Sequence, residues 1–137
     1  MAVRLEIVTP EGTVLERAVD SVTVPTESGE VGILPGHIPL AAIVIPGLLH
    51  FATNGKRESI AVDRGFLLLQ SDVLAVTVDG AIDVANIDAE EATKAKKRAE
   101  EALEEAKKSH MDREEIAQLE AQIRYQLIKK RAREMAP

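Results

Sequence analysis

The sequence has no cysteine and no tryptophan, and only one tyrosine and two phenylalanines among its 137 residues. Without thiols there is no disulfide framework, no cysteine nucleophile and no cysteine zinc site. With Tyr125 as the lone tyrosine there is nothing from which to build a base-stacking platform. A net charge of −6 also opposes phosphate contacts, so nucleic acid is not the expected partner. No run approaches the ~18 consecutive apolar residues of a membrane span. The opening MAVRLEIVTPEG alternates apolar and charged residues and lacks the basic-then-apolar order of a secretory signal, so a cytoplasmic setting is expected.

Catalytic motifs are missing too. His37, His50 and His110 are scattered, with no HExxH pair and no third-ligand spacing. There is no GxSxG elbow and no glycine-rich phosphate cradle. Paired carboxylates occur only on helix surfaces or in turns, where nothing raises their pKa. A non-catalytic chain that holds no metal and requires no cofactor is the expectation.

What is present divides in two. Residues 1–86 carry five Lys/Arg and eleven Asp/Glu, a net of −6, whereas residues 87–137 carry twelve of each. Such different charge balances indicate two structural units, 1–86 and 87–137. In the first, Val3, Leu5 and Ile7 alternate with Arg4, Glu6 and Val8, the period of a half-buried strand. Asn54-Gly55 between LLHFA and ESIAV suits the two positive-φ positions of a tight hairpin turn. Phe66 to Gln70 and Val73 to Val78 form another strand pair across Ser71-Asp72. Many short strands with frequent turns predict an antiparallel β-sandwich or flattened barrel whose core is almost entirely Val, Ile and Leu.

Beyond Asn86 the period becomes helical, giving an α+β chain. Asp88 and Glu91 fit a capping box, and the pattern repeats at Asp112 and Glu115, with Met111 and Ile116 placed for a hydrophobic staple. Two helix starts joined by residues 107–111 predict an antiparallel two-helix hairpin, about 30 Å long for ~20-residue helices. Ala92, Ala95, Ala99, Ala102 and Ala106 form a small-residue seam on the first helix, expected to meet Ile116, Leu119, Ile123 and Leu127 on the second. An alanine seam buries little area, so the hairpin is expected to be marginal and stabilised by docking. Its charges otherwise read as a solvated face, and the basic end of the second helix complements the helix dipole.

The most irregular segment is Glu27 to Leu40, with three glycines and two prolines fixing its path. By composition it is either a structural turn or a rigid loop offered to a partner. Within it, Gly29-Glu30-Val31-Gly32-Ile33-Leu34-Pro35-Gly36-His37-Ile38-Pro39-Leu40 resembles the GE-[LIV]-G-[IV]-LPGH-x-PL signature of the epsilon subunits of bacterial F-type ATP synthases. Ile7-Val8-Thr9-Pro10-Glu11-Gly12, Gly65-Phe66-Leu67 with Val73-Leu74-Ala75-Val76, and Ile87-Asp88 before an Ala/Lys/Glu helix resemble further parts of that family in the same order.

The resemblance implies a central-stalk rotor subunit that couples proton-driven ring rotation to ATP synthesis occurring on other subunits. Its implied partners are the gamma subunit, the membrane rotor ring of c subunits, and the catalytic beta and alpha subunits. Its implied location is peripheral, on the cytoplasmic face of the bacterial cell membrane. Glu30, Val31 and His37 match loop positions at or near the ring contact. The hairpin would restrain ATP hydrolysis when extended, with Arg124, Lys129, Lys130 and Arg131 meeting acidic segments of beta. Some members bind ATP through an I/L-D-x-x-R-A motif plus further arginines. Ile87, Asp88, Ala92 and Arg98 match that pattern, but Glu91 replaces its arginine and turns attraction for phosphate into repulsion. ATP is therefore expected as a weak regulatory ligand at most. Arg64 stands where many members have glycine. The rival expectations are a nucleotide-sensing hairpin module and a free-standing adaptor that binds apolar helices.

Overall fold

A computed structural model describes residues 2–109 and 112–135. The chain forms two compact units, Met1–Asp83 and Val84–Pro137, so the division falls three residues before the expected one. A short 3-10 turn at Val84–Asn86 belongs with the helices.

The first unit contains ten strands: β1 (Val3–Thr9), β2 (Gly12–Val19), β3 (Ser21–Thr26), β4 (Gly29–Ile33), β5 (Leu40–Val44), β6 (Gly47–Thr53), β7 (Lys56–Val62), β8 (Gly65–Gln70), β9 (Val73–Val78) and β10 (Ala81–Asp83). They hydrogen-bond in the order β10-β7-β6-β3-β5-β8-β9-β1-β2, with β4 added beside β3. The two halves of the sheet meet at the Thr26–Val44 pair between β3 and β5. The sheet also curls back on itself: Arg17 of β2 reaches Glu58 of β7 at 2.6 Å and lies over the ring of Phe51 on β6. This is the expected sandwich with one correction. β1 and β9 run parallel, because the strand that opens the chain inserts between its hairpin partner β2 and the last long strand.

Period two is visible in the burial. Val3, Leu5 and Ile7 are buried, as are Val22 and Val24, Leu49 and Phe51, Leu67 and Leu69, and Leu74 and Val76. Each such side chain contributes about 1.5–3 kcal/mol by leaving water. The Asn54-Gly55 turn closes the β6–β7 hairpin with φ of 53° and 81°, as its sequence requires. Gly65 is needed for space: a Cβ there would overlap the backbone carbonyl oxygen of Thr77. Arg64, by contrast, does not have left-handed backbone, and its guanidinium pairs with Asp79 at 3.2 Å.

In the second unit, α1 spans Ala89–Lys108 and α2 spans Arg113–Met135. Asp88 caps α1 by accepting from the amides of Glu90 (3.0 Å) and Glu91 (3.2 Å). The box is half formed, since the Glu91 carboxylate turns to Arg98 at 3.1 Å. Lys107 and Lys108 belong to the last turn of α1, where they complement the dipole, and Ser109 is the C-cap. The Met111 half of the expected staple lies outside the described residues.

The seam differs from expectation. On α1 it is the seven-residue repeat Ala92, Ala99 and Ala106 that is buried, while Ala102 is exposed. On α2 the buried residues are Ala121, Tyr125 and Ala132. Ile116, Leu119, Ile123 and Leu127 are only half-buried. The buried residues of the two helices are therefore alanines and one tyrosine, and the larger aliphatic side chains are only half covered.

Candidate partner-contact surfaces

The loop between β4 and β5 is held in one shape. Leu34-Pro35-Gly36-His37 closes a β-turn, with the His37 amide donating to the Leu34 carbonyl at 3.1 Å. Proline at the second position and glycine with φ of 86° at the third are the requirements of a type II turn. The Gly36 amide donates to Asp72 Oδ1 at 2.7 Å, which ties this loop to the turn between β8 and β9. His37 Nδ1 lies 2.6 Å from the Ile38 carbonyl oxygen, so it carries the proton of that bond and holds the ring against the loop. Glu30 stands exposed on β4 opposite Pro25. Val31 pairs with Val24 and packs against the core, so less of it is offered to a partner.

Two apolar features accompany this loop. Leu34 and Ile38 are 63% and 76% exposed. On the outer face of β5 and β8, Ile43 sits opposite Phe66 and Ala41 opposite Leu68, and Ile43 and Phe66 are each more than half exposed. Exposed aliphatic and aromatic side chains at neighbouring register positions mark an interaction surface more than a scattering of single residues does.

The charges of the two helices behave differently. On α1, Glu90 pairs with Lys94, Lys96 with Glu100, and Glu91 with Arg98. On α2, the Lys129 ammonium lies 4.8 Å from the centre of the Tyr125 ring. Arg124 opens on a groove that also holds Glu101, Glu104 and Ile123. Among the described residues, no ion pair within 4.0 Å is recorded for Lys130 or Arg131.

The positions matching the nucleotide motif each have a local role in the helical unit. Ile87 is buried, Asp88 spends its carboxylate on the helix cap, and Ala92 is in the seam. Arg98 opens on a groove between the helices whose other polar residues are Gln122 and Gln126. The Gln126 Oε1 atom is buried without a hydrogen-bond partner among the described residues. One guanidinium already paired with Glu91 leaves this groove no net positive charge for a polyanionic triphosphate. His110 lies outside the described residues, and among the rest no three His, Asp or Glu side chains converge as metal ligands.

Residues 2–84 match the family model described as the ATP synthase delta/epsilon chain β-sandwich domain. The ATP synthase epsilon chain of Herpetosiphon aurantiacus is 37% identical over 132 residues, covering 96% of this chain and 97% of the relative. That of Bacillus cytotoxicus is 40% identical over 108 residues, covering 79% and 80%. The chain belongs to the ATP synthase epsilon family. A chain of the Euglena gracilis mitochondrial ATP synthase OSCP/F1/c-ring structure has the same fold, with a TM-score of 0.71 at 24% identity over 96% of this chain and 81% of that one. A chain in the Tetrahymena thermophila mitochondrial ATP synthase central stalk/c-ring structure gives 0.53 at 14%, covering 63% and 69%.

For an epsilon-family sandwich, the residues that sequence reasoning missed are the apolar ones. Leu34 and Ile38 stand inside the signature, and their position beside Pro35-Gly36 was the available signal. Ile43, Phe66 and Leu68 stand in continuous apolar runs, Ala41 to Ile45 and Phe66 to Leu69, so only strand pairing shows which side of the sheet they occupy.

Proposed function

We propose that this chain is a central-stalk rotor subunit of an F-type ATP synthase, with its sandwich against the gamma subunit and the c ring. Its helical unit restrains ATP hydrolysis by extending toward the catalytic alpha and beta subunits. The observation that carries the reading is similarity to an epsilon chain that runs through both units, over 132 residues. The exposed apolar face around Phe66 supports a sandwich that is covered in use, and the cations near the end of α2 support contact with an acidic partner. Among the described residues no helix is long and apolar enough to cross a membrane, so attachment at the cytoplasmic face would come through the complex. Glu30 and His37, with Val31 behind them, would meet the ring. Arg124, Lys129, Lys130 and Arg131 would meet beta.

Deleting residues 87–137 in the assembled complex should leave assembly intact and raise ATP hydrolysis. An unchanged hydrolysis rate would confine this chain to coupling. ATP should bind weakly or not at all, because Glu91 neutralises Arg98 as well as displacing the motif's own arginine. Titration calorimetry giving a micromolar dissociation constant would overturn that and favour a nucleotide-sensing hairpin.

A further inference from the structure

On the outer face of β3, β6 and β7 the strand register sets six side chains in two rows. Thr23, His50 and Ser59 form one row across the three strands, and Ser21, Ala52 and Arg57 form the next. Val22 and Phe51, which alternate with them, are buried, so both rows face outward. Ala52 places only a methyl group between larger neighbours. The result is a shallow hollow walled by Ser21, Thr23, His50 and Arg57.

The polar atoms around the hollow are available. Ser59 Oγ lies 2.7 Å from His50 Nδ1, which engages one ring nitrogen and leaves Nε2 as the other polar atom. Among the described residues, no side-chain hydrogen bond or ion pair is recorded for Ser21, Thr23 or Arg57. Two hydroxyls, one imidazole nitrogen and one guanidinium make a donor set for an oxyanion. Charge then selects among oxyanions. Burial and the field of Arg57 favour neutral His50, while Glu30 on β4 acts in the opposite sense. Arg57 is the one permanent positive charge among the lining residues, and Glu30 beyond them opposes a second negative charge, which matches a monoanion and falls short for a phosphate dianion.

We infer that this hollow receives the carboxylate of one aspartate or glutamate side chain of a partner protein, with Arg57 as its ion-pair partner and Ser21, Thr23 and His50 as neutral donors. The proposal rests on the stalk-subunit reading for the presence of a partner, but not for the chemistry of the site. The plain alternative is a row of polar side chains on a solvated sheet face, which binds nothing saturably.

The test uses the full chain. In NMR titrations at matched ionic strength, sodium acetate, unlike sodium chloride, should shift the His50 ring and the Thr23 and Ala52 amides saturably, and Arg57→Gln should abolish the shifts. In association with the purified remaining subunits, Arg57→Glu should weaken affinity at least tenfold, and Arg57→Lys should retain most of it. The proposal is overturned by non-saturable acetate shifts, by sodium phosphate saturating at lower concentration than acetate, or by Arg57→Glu assembling as tightly as the parent. If the unmodified chain does not assemble, the stalk-subunit reading fails, and the acetate arm alone decides the carboxylate site.

Discussion

The two units solve the same problem, burying apolar surface, with opposite materials. The sandwich fills its interior with leucine, isoleucine and valine, most of them with no exposed surface. The helical unit closes its seam with alanines and one tyrosine, and leaves its larger aliphatic residues only half covered. Burial scales with apolar area, so the first unit has a large reserve of stability and the second a small one. A unit with little to lose on opening suits a regulatory arm. A unit whose stability does not depend on its partner suits a fixed mount.

The strongest way to break this comparison is to weaken the sandwich core. Leu5 is fully buried, and Leu5→Ala should cost about 2–5 kcal/mol. The loss should appear in the denaturant midpoint of the strand signal. The helical signal should melt earlier, at a midpoint that Leu5→Ala does not move. A single coincident transition that shifts as a whole would show the units to be one cooperative block, and the contrast in materials would then have no thermodynamic consequence.

A smaller effect tests the seam itself. Ala99 is buried between the helices and Ala102 is exposed, although both lie on the alanine stripe. Ala99→Leu should destabilise the helical transition by about 1–3 kcal/mol, because a close approach of small residues cannot admit a larger one without strain. Ala102→Leu should leave it nearly unchanged. Equal effects at the two positions would mean that the helices are not packed through the Ala92-Ala99-Ala106 repeat.

These tests bear on what could be read from the sequence. The strands, the Asn54-Gly55 turn and both helices follow from period and local chemistry, and local rules are sufficient for them. The parallel β1–β9 pair does not, because nothing in either strand's own sequence selects a partner some seventy residues away. Ser71-Asp72 was legible as a turn, but both residues adopt positive φ (50° and 62°) with no glycine to announce it. There the Asp72 carboxylate contributes a long-range bond to Gly36. On α2 the apolar residues run nearly all round the helix, so the Ile116-Leu119-Ile123-Leu127 stripe was one of several that the sequence allows. The structure buries Ala121 and Tyr125 there and leaves Ile123 and Leu127 half-buried.

The contact surfaces were legible to different degrees for the same reason. Pro35 and Gly36 dictate a turn type, so the path of the loop that carries His37 was foreseeable, whereas Glu30 lies before that loop on β4. The hollow over Ala52 was not, since its walls come from three strands and are brought together only by register. Arg98 shows the reverse case. Its match to a nucleotide motif was visible in the sequence, while its capture by Glu91, seven residues away, required the helix.

The smallest effect is a matter of pH and confines itself to one unit. His50 sits in the sandwich with its pKa below the ordinary 6.5, chiefly because burial disfavours the charged ring and secondarily because of Arg57. Above about pH 7.5 the ring is neutral whether the chain is folded or unfolded, and it contributes no pH dependence. As pH falls below that value the unfolded chain takes up a proton that the folded chain resists, so stability declines until pH passes the lowered folded value. The sandwich transition should therefore lose more between about pH 7.5 and 5.5 in the parent than in His50→Gln. Protonation of carboxylates affects both proteins and cancels in the difference. The helical transition should show no such difference, because His50 belongs to the other unit. Equal pH slopes in the two proteins would mean that the ring is already as well solvated as in the unfolded chain. A difference in the helical transition would mean that the two units exchange more free energy than their separate cores imply.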